Sequence, residues 1–232
     1  MVYAPRLLIL ETSCRVGQVA VALGDRLLGV RRLDEARRHA RDLAPAVRDL
    51  LADQQWQARD LHGVIVSRGP GSYTGLRVGI MSAKTLAFAT GCALLAIDTF
   101  AAIAHQAPAQ ALCLDVLADA QQDKVYVQRF ARNSETEPLQ AQTPLAIQPF
   151  ADWVKTLDPS VWISGPGLQD KESRLPRGQP VVSAEAREPR AESLLILGLD
   201  RFKKGEGDDL WTLEPLYLRP SSAEEKWHSE KG

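Results

Sequence analysis

The chain has 232 residues, 45% of them hydrophobic and 25% charged, with a formal net charge of -1. That length fits one large α/β domain or two small lobes, and the composition is that of a globular protein with a real core. A protein that grips nucleic acid on its own usually carries a basic excess; a near-zero charge and 6% aromatic residues argue against that class.

In chain order, "RLLILETS" is an apolar run closed by an acid, and "VGQVAVALGD" alternates up to a Gly24-Asp25 turn signal. "RLLGVRRL" follows at once, which predicts a hairpin. Leu43, Val47, Leu50 and Leu51 recur at helical spacing near 42–53, with Asp42 as N-cap and Pro45 in the first turn. "HGVIVS" predicts a buried strand, followed by the loop "SRGPGSYTGLRVG" and a helix over about 74–90. "ALLAI" predicts another strand before a helix near 98–107. "ALCLDVLADAQQDKVYVQRF" then repeats the layout of the opening: an apolar run ending in Asp119, a polar turn and an alternating strand. The expected architecture is α/β with two lobes, 1–107 and 108–219, the last helix free to pack back on the first lobe, and a loose tail at 220–232.

The glycine loop fits neither common phosphate motif. No lysine follows it as a Walker A loop requires, and Thr74 stands where a dinucleotide fingerprint needs its third glycine. The helix after it carries Gly75, Gly79, Ala83 and Ala87 at every fourth position, with Leu76, Val78, Ile80, Met81, Leu86 and Phe88 on its other faces. A helix apolar nearly all round must be covered on more than one side. Its small-residue stripe permits close approach by another backbone. Periodicity leaves two owners open for that approach, the chain's own lobe or a partner.

Candidates for chemistry are few. The histidines His39, His62, His105 and His228 form no H-x-x-x-H or H-x-x-E-H pair. Ser72 has no nucleophile-elbow context. Cys14, Cys92 and Cys113 are odd in number and widely spaced, the pattern of reduced thiols in a cytosolic protein. No apolar run reaches spanning length, so a cytoplasmic protein without membrane contact is expected. Glu11 and Asp119, with Ser164, Gly165 and Gly167 of the "SGPG" turn, could line a nucleotide cleft. That reading would make the chain an independent actin-like ATPase or kinase. Arg37, Arg38 and Arg41 form a basic stretch that reads either as a tRNA contact or as a solvated helix start.

"GPGSYTGLRVGIMSAKTLA" resembles the signature of the TsaB (YeaZ) family. The likeness continues through "LILETS", "RHARDLAPAVRDLL", "AIDTFAAIAHQA", "ADAQQDKVYVQRF", "WISGPGLQ" and "PLYLR". The resemblance implies an actin-like (ASKHA) fold of two lobes and a role in making threonylcarbamoyladenosine in tRNA. It implies a non-catalytic partner of the catalytic paralogue TsaD, a threonylcarbamoyltransferase that acts on the adenosine next to the anticodon. A TsaE-type ATPase is then reached through the complex, the chain also pairs with itself, and tRNA is met only indirectly. TsaD holds a metal with an H-x-x-x-H pair. Aligning "AIDTFAAIA" to that segment puts Thr99 and Ile103 at the two positions, so a pseudoenzyme without metal or cofactor is expected. The implied partner surface is Gly75, Arg77, Val78, Gly79, Ser82, Ala83, Leu86 and Ala87 with Leu43, Val47 and Leu50. The chain departs from the family at Glu11, usually Asp, and in the acidic run after "PLYLR".

Overall fold

The structure is a computed structural model that describes residues 4–33 and 39–216. Its first sheet has the order β3-β2-β1-β4-β5. The strands are β1 (Arg6–Glu11), β2 (Gln18–Leu23), β3 (Arg26–Arg32), β4 (Gly63–Gly69) and β5 (Ala93–Asp98). β1, β2 and β3 run antiparallel through hairpins, while β4 and β5 lie parallel to β1. The Gly24-Asp25 turn closes the second hairpin, Gly24 taking a φ of 61° that favours glycine.

Both faces of this sheet are covered, which explains why "LLIL" is apolar without alternation. Side chains alternate between faces. Leu8, Leu10, Val19, Val21, Val64 and Val66 pack beneath helices α1 (His39–Asp53) and α2 (Tyr73–Thr90). Leu7, Ile9, Ala20, Ile65 and Leu95 pack against α5 (Ala191–Lys203) and the short α3 (Thr99–Ala104). The last helix therefore lies on the first sheet, although it follows the second in sequence.

α1 begins earlier than expected. Asp42 lies in its first turn rather than at the N-cap, and Pro45 is its seventh residue. A proline there cannot donate to the carbonyl four residues before it. Burial of Leu43, Val47, Leu50 and Leu51, each at most 8% exposed, holds the helix regardless. α2 starts where Ser72 caps it, its Oγ accepting from the Gly75 amide at 3.2 Å. It ends at Gly91, whose φ of 71° supplies the left-handed C-cap.

The second sheet has the order β10-β6-β7-β8, with β9 also on β7. Its strands are β6 (Cys113–Asp119), β7 (Lys124–Ala131), β8 (Gln140–Ala141), β9 (Ala146–Pro149) and β10 (Trp162–Ser164). β6 and β7 form an antiparallel hairpin as β1 and β2 do. Buried Asp115 accepts two bonds from Arg129, at 2.7 and 2.8 Å, and one from the Trp153 indole at 3.0 Å. This satisfied network pins β6, β7 and the helix α4 (Phe150–Lys155) together.

After α5, residues 205–216 run as a strap along β5 and beneath α2. Asp208 donates its amide to the Leu94 carbonyl at 2.8 Å and accepts the Ala96 amide on Oδ2 at 2.7 Å. Leu213 is buried with α1 and α2, and Lys84 donates to its carbonyl at 3.1 Å.

Candidate interaction surface

The small-residue stripe of α2 faces inward. A Cβ on Gly75 would stand 2.0 Å from the Thr12 carbonyl oxygen, and one on Gly79 would stand 2.1 Å from Thr12 Oγ1. Ala83 and Ala87 are equally buried. The backbone that comes close belongs to the chain's own β1 end, so Gly75, Gly79, Ala83 and Ala87 are not surface residues available to a partner. Leu50 is also internal, its side chain filling the space above Gly29. Val78 is half-buried against the same core. Arg77 is exposed and lies over the Tyr73 ring at 4.7 Å.

The outward side of α2 tells a different story. An open groove of about 660 Å³ runs between α1 and α2. Leu43, Val47 and Leu51 form its α1 wall, Trp56 stands at one end, and Met81, Ser82 and Leu86 form the α2 wall. Met81 is 60% exposed, and Phe88, two turns further along α2, is 68% exposed. Large apolar side chains this accessible beside an apolar groove make this the candidate interaction surface. Of the residues expected at a partner surface, Leu43, Val47, Ser82 and Leu86 are brought together here. Met81, Trp56 and Thr85 join them, none of which is on the expected partner surface. Once the small stripe is known to face inward, the helical period alone puts Met81, Thr85 and Phe88 on the opposite side.

The nucleotide-cleft candidates do not converge on one opening. Glu11 is fully buried, with Oε1 accepting from the Ser13 amide at 2.6 Å and the Ser13 hydroxyl at 2.5 Å. Burial pushes its carboxyl up from 4.5 to about 7, the Ser13 bonds opposing. Its Oε2 has no hydrogen-bond partner among the described residues. Asp119, at the matching position of the second hairpin, is exposed, with Lys171 Nζ 3.6 Å away. Ser164, Gly165 and Gly167 pack on the end of β6; a Cβ on Gly165 would stand 2.1 Å from the Leu117 carbonyl oxygen. Glu11 thus belongs to the interior of the first sheet rather than to a cleft. A second cavity, of about 490 Å³ between α3 and β7, is lined by neither Glu11 nor Asp119.

Thr99 and Ile103 lie one turn apart on α3, both buried. His62 accepts the Arg6 amide on Nδ1 at 2.9 Å, a structural role, and His105 is exposed. Arg41 pairs with Asp42 at 2.7 Å. Arg37, Arg38, the His39 side chain, His228 and the tail 220–232 lie outside the described residues, as do the last three residues of "PLYLR". Among the described residues no helix is long and apolar enough to cross a membrane.

Comparison with known proteins adds to this geometry. Residues 26–157 match the family model "TsaD: tRNA N6-adenosine threonylcarbamoyltransferase", a stretch that contains both groove helices. The "tRNA threonylcarbamoyladenosine biosynthesis protein TsaB" of Bacillus subtilis (strain 168) is 29% identical over 194 residues, covering 82% of this chain and 83% of that protein. The protein of the same name from Escherichia coli (strain K12) is 28% identical over 202 residues, covering 82% and 84%. Among solved structures, "YeaZ from Pseudomonas aeruginosa" superposes with a TM-score of 0.77 at 28% identity, covering 92% of this chain and 100% of that one.

Proposed function

The chain belongs to the TsaD-type family, on its TsaB/YeaZ branch, with an actin-like (ASKHA) fold, and from this premise we propose that it is a non-catalytic subunit of tRNA threonylcarbamoyladenosine biosynthesis that docks the catalytic paralogue through the α1–α2 groove. The observation that carries this reading is the open apolar groove beside an exposed Met81. The buried Thr99 and Ile103 support the non-catalytic part, since neither side chain replaces an imidazole ligand where they stand on α3. On this reading the chain orients the catalytic subunit, an ATPase of the TsaE type joins through the complex, and tRNA is met by the assembly. Self-pairing would use the same groove in competition with the paralogue.

The test is Met81→Asp, which puts a charge on the groove wall without touching the core. Titrated with the cognate catalytic paralogue, this variant should bind at least about tenfold more weakly, the loss expected for a desolvated charge in an apolar interface. Its thermal unfolding should stay that of the parent, because Met81 is a surface residue. Unchanged affinity would overturn the groove assignment.

A further inference from the structure

Trp211 is 77% exposed, more than any other large apolar residue described. Its backbone is nevertheless fixed. Asp209 Oδ1 accepts the amides of Trp211 and Thr212, both at 2.9 Å, and Asp208 is tied to β5 and to Arg201 at 2.8 Å. Leu213, two residues on, is buried in the core. The ring is therefore displayed from an anchored turn, and it meets Phe88 edge-on with centroids 6.0 Å apart. An exposed aromatic pair on a fixed backbone keeps its apolar area in water, yet has little left to lose in ordering entropy when something covers it.

Phe88 also places the pair. Met81, Thr85 and Phe88 follow at intervals of four and three, so they share one side of α2. Met81 and Thr85 line the groove, and Phe88 carries the same apolar line past its end. At about 1.5 Å per residue, Met81 to Phe88 spans roughly 10 Å, two turns of any helix laid alongside.

We infer that the Phe88–Trp211 pair is the anchor of the docking surface, and that the strap 205–216 is its second half, gripping a helix of the catalytic paralogue where that helix leaves the α1–α2 groove. This rests on the groove reading and deepens it. The strap lies beyond the residues that match the TsaD family model, 26–157. An exposed Trp held on a fixed backbone against Phe88 is of the residue type that most often dominates an interface.

The experiment titrates the full chain with the cognate catalytic paralogue, using Trp211→Ala, Phe88→Ala, Trp211→Phe and Met81→Asp, with thermal unfolding as the fold control. Trp211→Ala and Phe88→Ala should each weaken binding about 30-fold, the scale of an anchor residue, and Trp211→Phe should restore most of it. Wild-type affinity in Trp211→Ala and Phe88→Ala, with Met81→Asp still impaired, overturns the inference and leaves the groove reading standing. Wild-type affinity in all variants overturns both. If Trp211→Ala changes only the mass of the chain alone in solution, the occupant is a second copy and the inference fails.

Discussion

The two sides of α2 are both apolar in sequence, and they do opposite work. The inward side is stripped to Gly75, Gly79, Ala83 and Ala87, so that the end of β1 can come within contact of the helix backbone. The outward side carries Met81, Thr85 and Phe88, which face solvent, the groove and the exposed Trp211 ring. The difference teaches that a small-residue stripe reports close approach and says nothing of who approaches. The chain's own Thr12 has taken that place, and what remains for a partner is the bulky side.

The largest expected effect comes from breaking the inward side. Gly79→Leu must displace Thr12, and it should cost about 3 kcal/mol or more by overpacking, lowering Tm by roughly 6–12 °C in a chain of this size. A variant that melts with the wild type would mean that the helix can move off the strand without penalty. If the protein unfolds outright, the milder Gly79→Ala should show the same sign.

Just behind Thr12 sits Glu11, which supplies a pH test of the same contact. Its folded carboxyl titrates near 7 rather than 4.5, so the native state holds a proton that the unfolded chain has released. The contribution of this one group is then full below about pH 4.5, falls as the pH rises toward 7, and is gone above it. The fall attributable to this group is on the order of 3 kcal/mol. Glu11→Gln keeps an acceptor for Ser13 and should flatten that segment of the stability curve, leaving the variant more stable at neutral pH. Parallel curves for the two proteins would remove Glu11 from the account. The smallest effect belongs to the outward side. Thr85 is exposed and donates its hydroxyl to the Met81 carbonyl at 2.8 Å. Thr85→Ala should raise stability by no more than about 0.5 kcal/mol, through better helix propensity and loss of that competing bond. Chemical denaturation would read it.

Much of this was legible in the residues. The Gly24-Asp25 hairpin, the buried strands, and α2 within a residue of its observed start all follow from local pattern, because turn chemistry and periodicity are local. Asp42 was misread because a good capping residue can also sit inside a first turn, where its carboxylate faces Arg41 instead. The groove was only half legible. Leu43 and Val47 announce an apolar face of α1, and Ser82 and Leu86 one of α2, but their meeting is a tertiary event across a strand and two loops. Glu11 and Asp119 end matching strands of matching hairpins. Burial alone separates them, and burial has no local signature.

The strap also settles how the first sheet ends. A sheet's outermost strand offers a row of unmet donors and acceptors to any other chain that comes by. On the β5 side Asp208 meets that row, giving its amide to Leu94 and its carboxylate to the Ala96 amide. On the β3 side no described strand pairs with the edge, and Arg26, Arg31 and Arg32 stand there exposed. One border is therefore closed with backbone and the other guarded by charge. Both work against edge-to-edge pairing with another chain while α2 keeps its apolar side open for business of another kind.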